Sequence, residues 1–317
     1  MIGPFASLDT GGPMPNSFLP LSPDDALREQ LAGVRYVFTD LDGTMLAPGS
    51  CALADASGAP SLDLVAALVE LKRSGIEVIP CSGRNRSMLH EDVRILGLNA
   101  FIGEMGGLIM VDHASSRWEY FTADMDYVPA CGLTPHEVIE STGICDEFAN
   151  RWPGLLEYHN DMSTGYRHRE VTVGMRGEIP DEQARDLLDA CSTALDWADN
   201  GYLNYISEPT TLKLPAGTKG RAFNIVPKGL NKGRGIARFC ELRSIPIEQT
   251  LAIGDAASDF LMADHVGTFI LVENGLRCAT APAFLAAHPD AYVAHGRITD
   301  GWVCAMRTVL AARERSA

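Results

Sequence analysis

Two aspartates one residue apart, Asp40 and Asp42, are the residues of this chain best suited to do chemistry. An apolar run at 34–39 ends just before them, and a turn formed by Gly43 and Thr44 follows at once. A strand that delivers polar side chains at its carboxyl end is typical of active sites in open α/β sheets. Two carboxylates this close cannot both stay ionised unaided, because like charges raise one pKa or recruit a cation. The pair therefore predicts a shared proton or a divalent metal, and hard oxygen ligands favour Mg²⁺.

Other polar groups lie at the ends of predicted strands or the start of a helix, namely Ser82 with Arg84, Lys232, and Asp255 with Asp259. A parallel sheet gathers the carboxyl ends of its strands at one edge, so we expect these groups to meet the first pair. Together they supply a nucleophile, a second carboxyl, a hydroxyl donor, a cation and acids for a metal. This inventory suits phosphoryl transfer, in which the protein mainly positions groups and neutralises charge.

The elements that must position these residues alternate between strand and helix. Apolar periodicity predicts strands at 34–39, 76–81, 101–103, 108–111, 222–226, 250–253, 268–272 and 291–293. It predicts helices at 61–74, 86–96, 232–242, 258–263 and 301–312. Ser61 or Asp63 is expected to cap the first helix, and Gly75 to end it. Strands and helices in this alternation indicate right-handed βαβ units and a mainly parallel sheet.

The pattern changes from about residue 112. Turn clusters, three of the four tryptophans and an alternating stretch at 170–175 are typical of an α+β domain. A helix at 181–193 and a hairpin from 202–207 and 211–214 are expected within it. The predicted fold class is thus α/β, with a doubly wound Rossmann-like parallel sheet as core and an inserted α+β domain. The predicted boundaries are a core at 31–111 and 216–317, with the insert at 112–215.

Composition narrows the partners and the compartment. The formal charge of −15 and the pI near 4.9 argue against a nucleic-acid or anionic-membrane partner, since both need a basic surface. No apolar run reaches the ~18 residues of a membrane span. The eight cysteines show no C-x-x-C spacing, which favours reduced thiols and a cytoplasmic protein. Residues 1–27 lack Lys and Arg, unlike a signal peptide, and residues 1–30 are expected to be a poorly ordered extension.

In order and spacing, the motifs resemble those of the haloacid dehalogenase superfamily of aspartate-nucleophile phosphatases, over roughly residues 34–310. The matching segments are Asp40-Leu41-Asp42-Gly43-Thr44, Ser82, Lys232 and Gly254-Asp255-Ala256-Ala257-Ser258-Asp259. The insert resembles the C2-type cap of the Cof-like (IIB) branch. Two smaller segments also resemble that branch, namely Glu104-Met105-Gly106-Gly107 and Asp300-Gly301.

The resemblance implies a Mg²⁺-dependent phosphatase in which Asp40 attacks phosphorus and forms an aspartyl-phosphate. Asp42 would protonate the leaving alcohol and then activate water. The implied metal ligands are Asp40, the backbone carbonyl of Asp42, and Asp255, with Asp259 in support of the metal or Lys232. The implied phosphate contacts are Asp40, Leu41, Asp42, Gly43, Thr44, Ser82, Gly83 and Lys232.

Two positions depart from the branch pattern, because Ser258 and Met105 stand where Asn is common. The first puts one metal or phosphate contact in question, and the second leaves the role of Glu104 open. Candidate residues for reading the rest of the substrate are Arg84, Glu104, Arg167, His168, Arg169, Lys213 and Ser258. The charged residues of the insert are explained equally well as the solvent-exposed face of a strand, with no role in substrate recognition.

The resemblance further implies a small phosphorylated metabolite as substrate, preferably a sugar phosphate, and a monomer or homodimer. Two alternatives remain open at this stage. A phosphosugar mutase of similar build would return the phosphoryl group to its product. A non-catalytic protein that binds a phosphorylated metabolite would keep the fold without turnover.

Overall fold

The computed structural model describes residues 18–21, 23–159, 168–203, 206, 208 and 210–314. The strands are β1 (Tyr36–Thr39), β2 (Glu77–Pro80), β3 (Phe101–Gly103), β4 (Leu108–Asp112), β5 (Arg117–Tyr120), β6 (Leu156–Tyr158), β7 (Val173–Gly177), β8 (Leu195–Tyr202), β9 (Arg221–Pro227), β10 (Thr250–Gly254), β11 (Thr268–Leu271) and β12 (Tyr292–Val293). The α-helices are α1 (Asp25–Gly33), α2 (Asp63–Arg73), α3 (Arg86–Leu96), α4 (Pro135–Ser141), α5 (Ile144–Arg151), α6 (Asp181–Asp189), α7 (Lys232–Arg243), α8 (Ala257–Phe260), α9 (Ala281–Ala287) and α10 (Ile298–Glu314).

Five parallel strands form the central sheet, in the order β12-β11-β10-β1-β2. Thr39 at the end of β1 pairs with Ile253 on one side and with Pro80 on the other. A parallel bridge from Cys81 to Ile102 joins this sheet to the antiparallel sheet β3-β4-β5. The parallel core confirms the predicted fold class, and the ends of β1, β2 and β10 open at one edge.

Apolar side chains of the central strands point alternately to the two faces of the sheet, as the two-residue period of a strand requires. Val37 packs in a cluster with Leu31, Leu64 and Trp302, which come from α1, α2 and α10. The next residue, Phe38, packs on the opposite face, in a cluster that also contains residues of α7 and α9. Helices thus cover both faces, which is why the consecutive residues Val37 and Phe38 of β1 are both apolar.

The ends of two helices that flank the site follow local rules. Asn85 begins α3 by accepting a hydrogen bond from the Met88 amide at 3.1 Å, and Gly97 ends it in the left-handed region. Asn231 begins α7 in the same way, through the Arg234 amide at 2.9 Å. The expected side-chain cap of α2 is wrong, because its N-cap residue is Leu62, which makes no such bond.

The inserted cap has its own sheet and its own core. The four antiparallel strands are ordered β6-β7-β9-β8, and aromatic side chains of Phe148, Trp197 and Phe223 stack on one another beneath them. Helices α4, α5 and α6 complete this α+β layer. The apolar cluster is separate from those of the parallel core.

Strand pairing shifts the boundaries of the cap from those predicted. β5 pairs with β4 and therefore extends the core sheet, whereas β9, expected in the core, pairs with β7 and β8. By sheet membership, residues 117–120 go with the core and residues 221–227 with the cap, whereas the predicted boundaries put the cap at 112–215. The expected hairpin is also wrong, since β8 ends at Tyr202 and 211–214 forms no strand, while 204, 205 and 207 lie outside the described residues.

The described part of the N-terminal extension is packed against the core. The Asp24 side chain accepts a hydrogen bond from the Leu27 amide and caps α1, which buries Leu27 and Leu31. Leu19 is also buried, and its amide donates to the Val293 carbonyl at 2.7 Å. Residues 25–30 of the predicted extension thus lie in α1, and residues 1–17 and 22 lie outside the described residues. Within the described chain, no helix combines the length and apolarity that crossing a membrane requires.

Candidate active site

Three carboxylates meet at the carboxyl edge of the parallel sheet. Asp40 follows β1 directly, Asp255 follows β10, and Asp259 lies in the short helix α8. One oxygen from each side chain lies within 4.8 Å of the others, and Asp40 and Asp259 are buried. Three hard oxygen ligands within this span fit a divalent cation such as Mg²⁺.

Lys232 is the cation at the centre of this cluster. Its Nζ donates to Asp40 Oδ1 at 2.7 Å and to Asp259 Oδ1 at 2.6 Å, and the residue is only 3% exposed. A positive charge in the first turn of α7 is unfavourable against the helix dipole. The two carboxylates supply the compensation, so the lysine connects the first and last motifs through direct ion pairs.

Asp259 has both of its oxygens engaged. While Oδ1 pairs with Lys232, Oδ2 accepts hydrogen bonds from the backbone amides of Asp255 at 3.0 Å and Ala256 at 2.9 Å. These bonds hold the loop between β10 and α8 in place. Asp259 therefore positions Lys232 and Asp255, in addition to lying within reach of a metal.

Burial and mutual repulsion govern the protonation of the acids. Burial raises the pKa of Asp40 to about 8, although the charge of Lys232 opposes this. Burial and the charge of Asp259 raise the pKa of Asp255 to about 6. Burial alone would lower the pKa of Lys232, but Asp259 and Asp40 outweigh it and raise that pKa. One lysine thus leaves three acids undercompensated, and a divalent cation would relieve the excess negative charge.

Asp42 makes a different set of contacts from Asp40. Its carboxylate accepts hydrogen bonds from Arg84 Nε at 2.9 Å, Arg84 Nη2 at 2.7 Å and Ser50 Oγ at 2.6 Å. Arg84 is itself fixed by Asp92 at 2.7 Å. Burial raises the pKa of Asp42, but the hydrogen bonds and charge of Arg84 outweigh it and hold that pKa below its usual value. Paired with Arg84, Asp42 is ionised and is therefore able to accept a proton as a base.

The first motif also supplies a tight turn. Gly43 has a φ of +89°, and a Cβ there would lie 2.6 Å from Asp255 Oδ2, so only glycine fits. Thr44 Oγ1 donates to Asp255 Oδ1 at 3.1 Å, whereas a phosphate contact was expected. Leu41 buries its side chain, which leaves only its backbone for the predicted contact. Ser82 and Gly83 line the cavity beside Asp40.

A cavity of about 290 Å³ lies over the acids, between core and cap. Of the predicted substrate residues, Arg84, Ser258 and Arg169 line it. Glu104 is buried and bonded to the cap backbone, and neither His168 nor Lys213 is among the described lining residues. Arg167 lies outside the described residues. A larger apolar depression of about 660 Å³ adjoins α2 and α3, and none of the acids lines it.

Two asparagines at the site were missed by sequence reasoning. Asn274 Nδ2 donates to the Gly43 carbonyl and to Asp255 Oδ2, both at 2.9 Å, and its Oδ1 accepts from the Ile298 amide. It therefore ties the first motif, the metal-site acid and α10 together. Its position just after β11, at the same sheet edge, was an available signal. Asn200 of the cap lines the cavity, and no local pattern marks it.

Comparisons with known proteins agree with this geometry. The sequence model of the haloacid dehalogenase-like hydrolase family matches residues 198–283. A phosphoglycolate phosphatase of Methanospirillum hungatei is 25% identical over 76% of this chain and 84% of that protein. The solved structure of Thermoplasma acidophilum 0175 superimposes with a TM-score of 0.56 at 16% identity, over 88% of this chain and 99% of that one.

A second solved structure, described as the HAD subclass IIB sugar phosphatase BT4131, has a TM-score of 0.52 at 15% identity, over 86% of this chain and 98% of that one. At these identities the two structures establish the fold. The family model is that of a hydrolase and the sequence relatives are named phosphatases, which is consistent with a phosphoric monoester hydrolase. The chain is therefore similar in sequence to haloacid dehalogenase-like hydrolases over residues 198–283, and similar in fold to the two solved structures.

Proposed function

We propose that this protein is a Mg²⁺-dependent phosphatase that hydrolyses a small phosphorylated metabolite through an aspartyl-phosphate. The observation that carries the proposal is the meeting of Asp40, Asp255 and Asp259 within 4.8 Å, with Lys232 bonded to Asp40. Asp40, Asp255 and the backbone carbonyl of Asp42 would hold the ion. When bound, Mg²⁺ would neutralise charge on the phosphate oxygens.

The protein's own groups account for both half-reactions. A carboxylate oxygen of Asp40 forms a bond to phosphorus as the bond to the leaving oxygen breaks, and Asp42 gives that oxygen a proton. Water then attacks the phosphorus of the aspartyl-phosphate and gives its proton to Asp42. The bond from phosphorus to Asp40 breaks, which releases inorganic phosphate and restores the carboxylate.

Asp42 must change partners during this cycle. A carboxylate held by Arg84 and Ser50 carries no proton to donate, because the pair favours its ionised form. The Asp42 side chain is 54% exposed, so it has room to turn toward the cavity. Arg84 would then face the phosphorylated substrate in place of Asp42.

The acid–base role of Asp42 predicts a trapped intermediate. In Asp42→Asn the amide neither donates the proton nor activates water, so kcat should fall about 10² to 10⁴-fold. With a good leaving group such as p-nitrophenol, phosphoenzyme should accumulate and be detected by acid quench and intact-protein mass. Ser50→Ala removes only one hydrogen bond from the same carboxylate and should leave turnover within a few-fold. Wild-type turnover without phosphoenzyme in Asp42→Asn would exclude the role.

The raised pKa values predict how stability depends on pH and Mg²⁺. A carboxyl group whose pKa is higher in the folded than in the unfolded protein stabilises the fold at pH values below the unfolded pKa. This stabilisation is lost as the pH rises through the folded pKa. The folded pKa is about 8 for Asp40 and about 6 for Asp255, so in EDTA the stabilisation is lost between about pH 4 and pH 8. Mg²⁺ should therefore raise Tm by several degrees more at pH 8 than at pH 5.5. Equal shifts in a thermal scan at the two pH values would contradict metal binding by these acids.

For the substrate we propose a sugar phosphate, in keeping with the branch that the motifs resemble and with the similar structure described as a sugar phosphatase. Phosphoglycolate is the second candidate, because of the M. hungatei relative's name and because Arg84 and Arg169 line the cavity. Phosphate release should be measured with Mg²⁺ on a panel of sugar monophosphates and phosphoglycolate. The proposed substrate class requires the highest kcat/KM for a sugar phosphate, and preference for phosphoglycolate would select the second candidate.

The same panel separates the two other possibilities. A mutase would convert a sugar monophosphate to its isomer without releasing inorganic phosphate, which product analysis detects. A binding protein would release phosphate from no panel member and from no aryl phosphate. We place the protein in the cytoplasm, which is supported by eight unpaired cysteines.

A further inference from the structure

Glu104 is a buried carboxylate that the catalytic scheme does not use. Its side chain is 0% exposed, and Oε1 accepts a hydrogen bond from the Glu170 amide at 2.8 Å. Oε2 accepts from the amides of Val171 at 3.0 Å and Thr172 at 2.9 Å, and from Thr172 Oγ1 at 3.1 Å. All four donors come from the cap, whereas Glu104 belongs to the core.

The turn that presents Glu104 is bonded to the active-site loop. The Glu104 amide donates to the Arg84 carbonyl at 2.9 Å, and the Met105 amide donates to the Ser82 carbonyl at 3.2 Å. Glu104 and Met105 both have positive φ values, of 47° and 62°. Non-glycine residues in that region store strain, and such strain persists where the surroundings enforce it.

The cap segment that Glu104 holds, residues 169–172, fits closely onto the core. Val171 is buried in the core cluster, and a Cβ on Gly107 would lie 2.5 Å from its Cγ1, so glycine is required for this approach. Glu170 is paired with Arg86 at 2.6 Å. Arg169 Nη1 donates to the Gly83 carbonyl at 3.0 Å and so reaches the cavity.

We propose that residues 169–172 are a latch that holds the cap closed over the site, with Glu104 as its receptor on the core. The latch fixes Arg169 beside Gly83, where its guanidinium lines the cavity. Glu104 is therefore a positioning residue, because it acts on the cavity through the cap and does not touch the reacting atoms. Any effect of the latch on turnover rests on the proposed phosphatase activity, whereas the latch contacts themselves do not depend on it.

Glu104→Gln tests the latch with almost no change in volume. A carboxylate offers two acceptor oxygens, whereas an amide offers one oxygen and one NH₂ group. Whichever way the amide turns, at least one cap amide faces another donor. Amide hydrogen exchange of residues 170–172 should therefore speed up at least about tenfold. This factor corresponds to the loss of a hydrogen bond to a charged group.

Glu157→Gln is the matched control. Like Glu104, Glu157 accepts hydrogen bonds from backbone and side-chain donors, here of Thr210 and Thr211. It also accepts one from Arg176 at 2.7 Å, and all these donors lie within the cap. Its loss should loosen its own neighbours and leave exchange at 170–172 at the wild-type rate. Exchange in β10 should stay at the wild-type rate in both variants, because that strand contacts neither glutamate.

Wild-type exchange at 170–172 in Glu104→Gln would overturn the latch, as would equal acceleration throughout the core. Should that variant fail to fold, Thr172→Val removes one donor to Glu104 together with the acceptor of Arg169 Nη1, and should speed exchange within 169–172. In these variants, inorganic phosphate should inhibit p-nitrophenyl phosphate hydrolysis with an inhibition constant within about threefold of the wild-type value. If exchange changes as expected but no phosphate ester is hydrolysed, the latch stands and the proposed phosphatase activity fails.

Discussion

Asp40→Asn is expected to lower kcat by at least about 10⁴-fold, because an amide cannot attack phosphorus. The fold should persist, since the amide oxygen still accepts from Lys232 Nζ, which lies 2.7 Å from Asp40 Oδ1. Removing one of three crowded acids also relieves repulsion, so the metal-free variant should melt at or above the wild-type Tm at pH 8. Phosphate release from p-nitrophenyl phosphate and thermal scans with EDTA or Mg²⁺ measure both effects.

The Asp40→Asn variant carries its own control for misfolding. A retained Tm together with a smaller Mg²⁺-induced shift would assign the lost activity to the nucleophile and its metal, not to the fold. The steep dependence of Tm on pH in EDTA should also weaken, because the carboxyl with a pKa of about 8 is gone. More than a few per cent of wild-type kcat in this variant would contradict Asp40 as nucleophile.

Lys232→Met should have the largest effect on stability. It removes the cation that both Asp40 and Asp259 contact, and leaves two buried carboxylates facing each other. Breaking a buried ion pair in this way costs about 3–5 kcal/mol. The loss should be larger at pH 8 than at pH 5.5, since protonation of Asp40 at the lower pH reduces its repulsion with Asp259.

Turnover in Lys232→Met should fall about 10² to 10³-fold even where the protein is folded, because the proposed contact of Lys232 with the phosphate would be lost. Lys228→Met is the matched control, since Lys228 pairs with Asp189 on the surface with its side chain 54% exposed. An exposed pair contributes at most about 1 kcal/mol. Urea unfolding at both pH values gives the comparison, and equal stability of the two variants would refute the central role of Lys232.

The prediction of the core from sequence succeeded where signals were local. The apolar run of β1 and the apolar periodicity of α3 each depend on residues near in the chain, so these elements formed as expected. The rule that parallel strands end at one edge placed Asp40 near Asp255, because β1 and β10 are neighbours in the parallel sheet. It does not explain the position of Lys232, which follows a strand of the cap sheet and reaches Asp40 from the first turn of α7.

Sheet membership was not predictable in the same way. A strand was predicted at the position of β9 but not at that of β5, and an apolar pattern does not state which strand will pair with it. Hydrogen bonding assigned β5 to the core and β9 to the cap, opposite to the expected boundaries. Pairing depends on backbone groups, which all residues share, and for this reason the side-chain sequence left it open.

The sequence by itself determined which groups are available for the proposed chemistry, because the candidate nucleophile, acid, cation and metal ligands are recognised by residue type and by their place next to predicted strands and helices. Only the tertiary structure decided their partners: Asp42 with Arg84, Asp255 with Asn274, and Glu104 with the cap. A side chain's chemical capacity is a property of its type. Its protonation and its role depend on the burial and charges around it, which arise only when distant segments pack together.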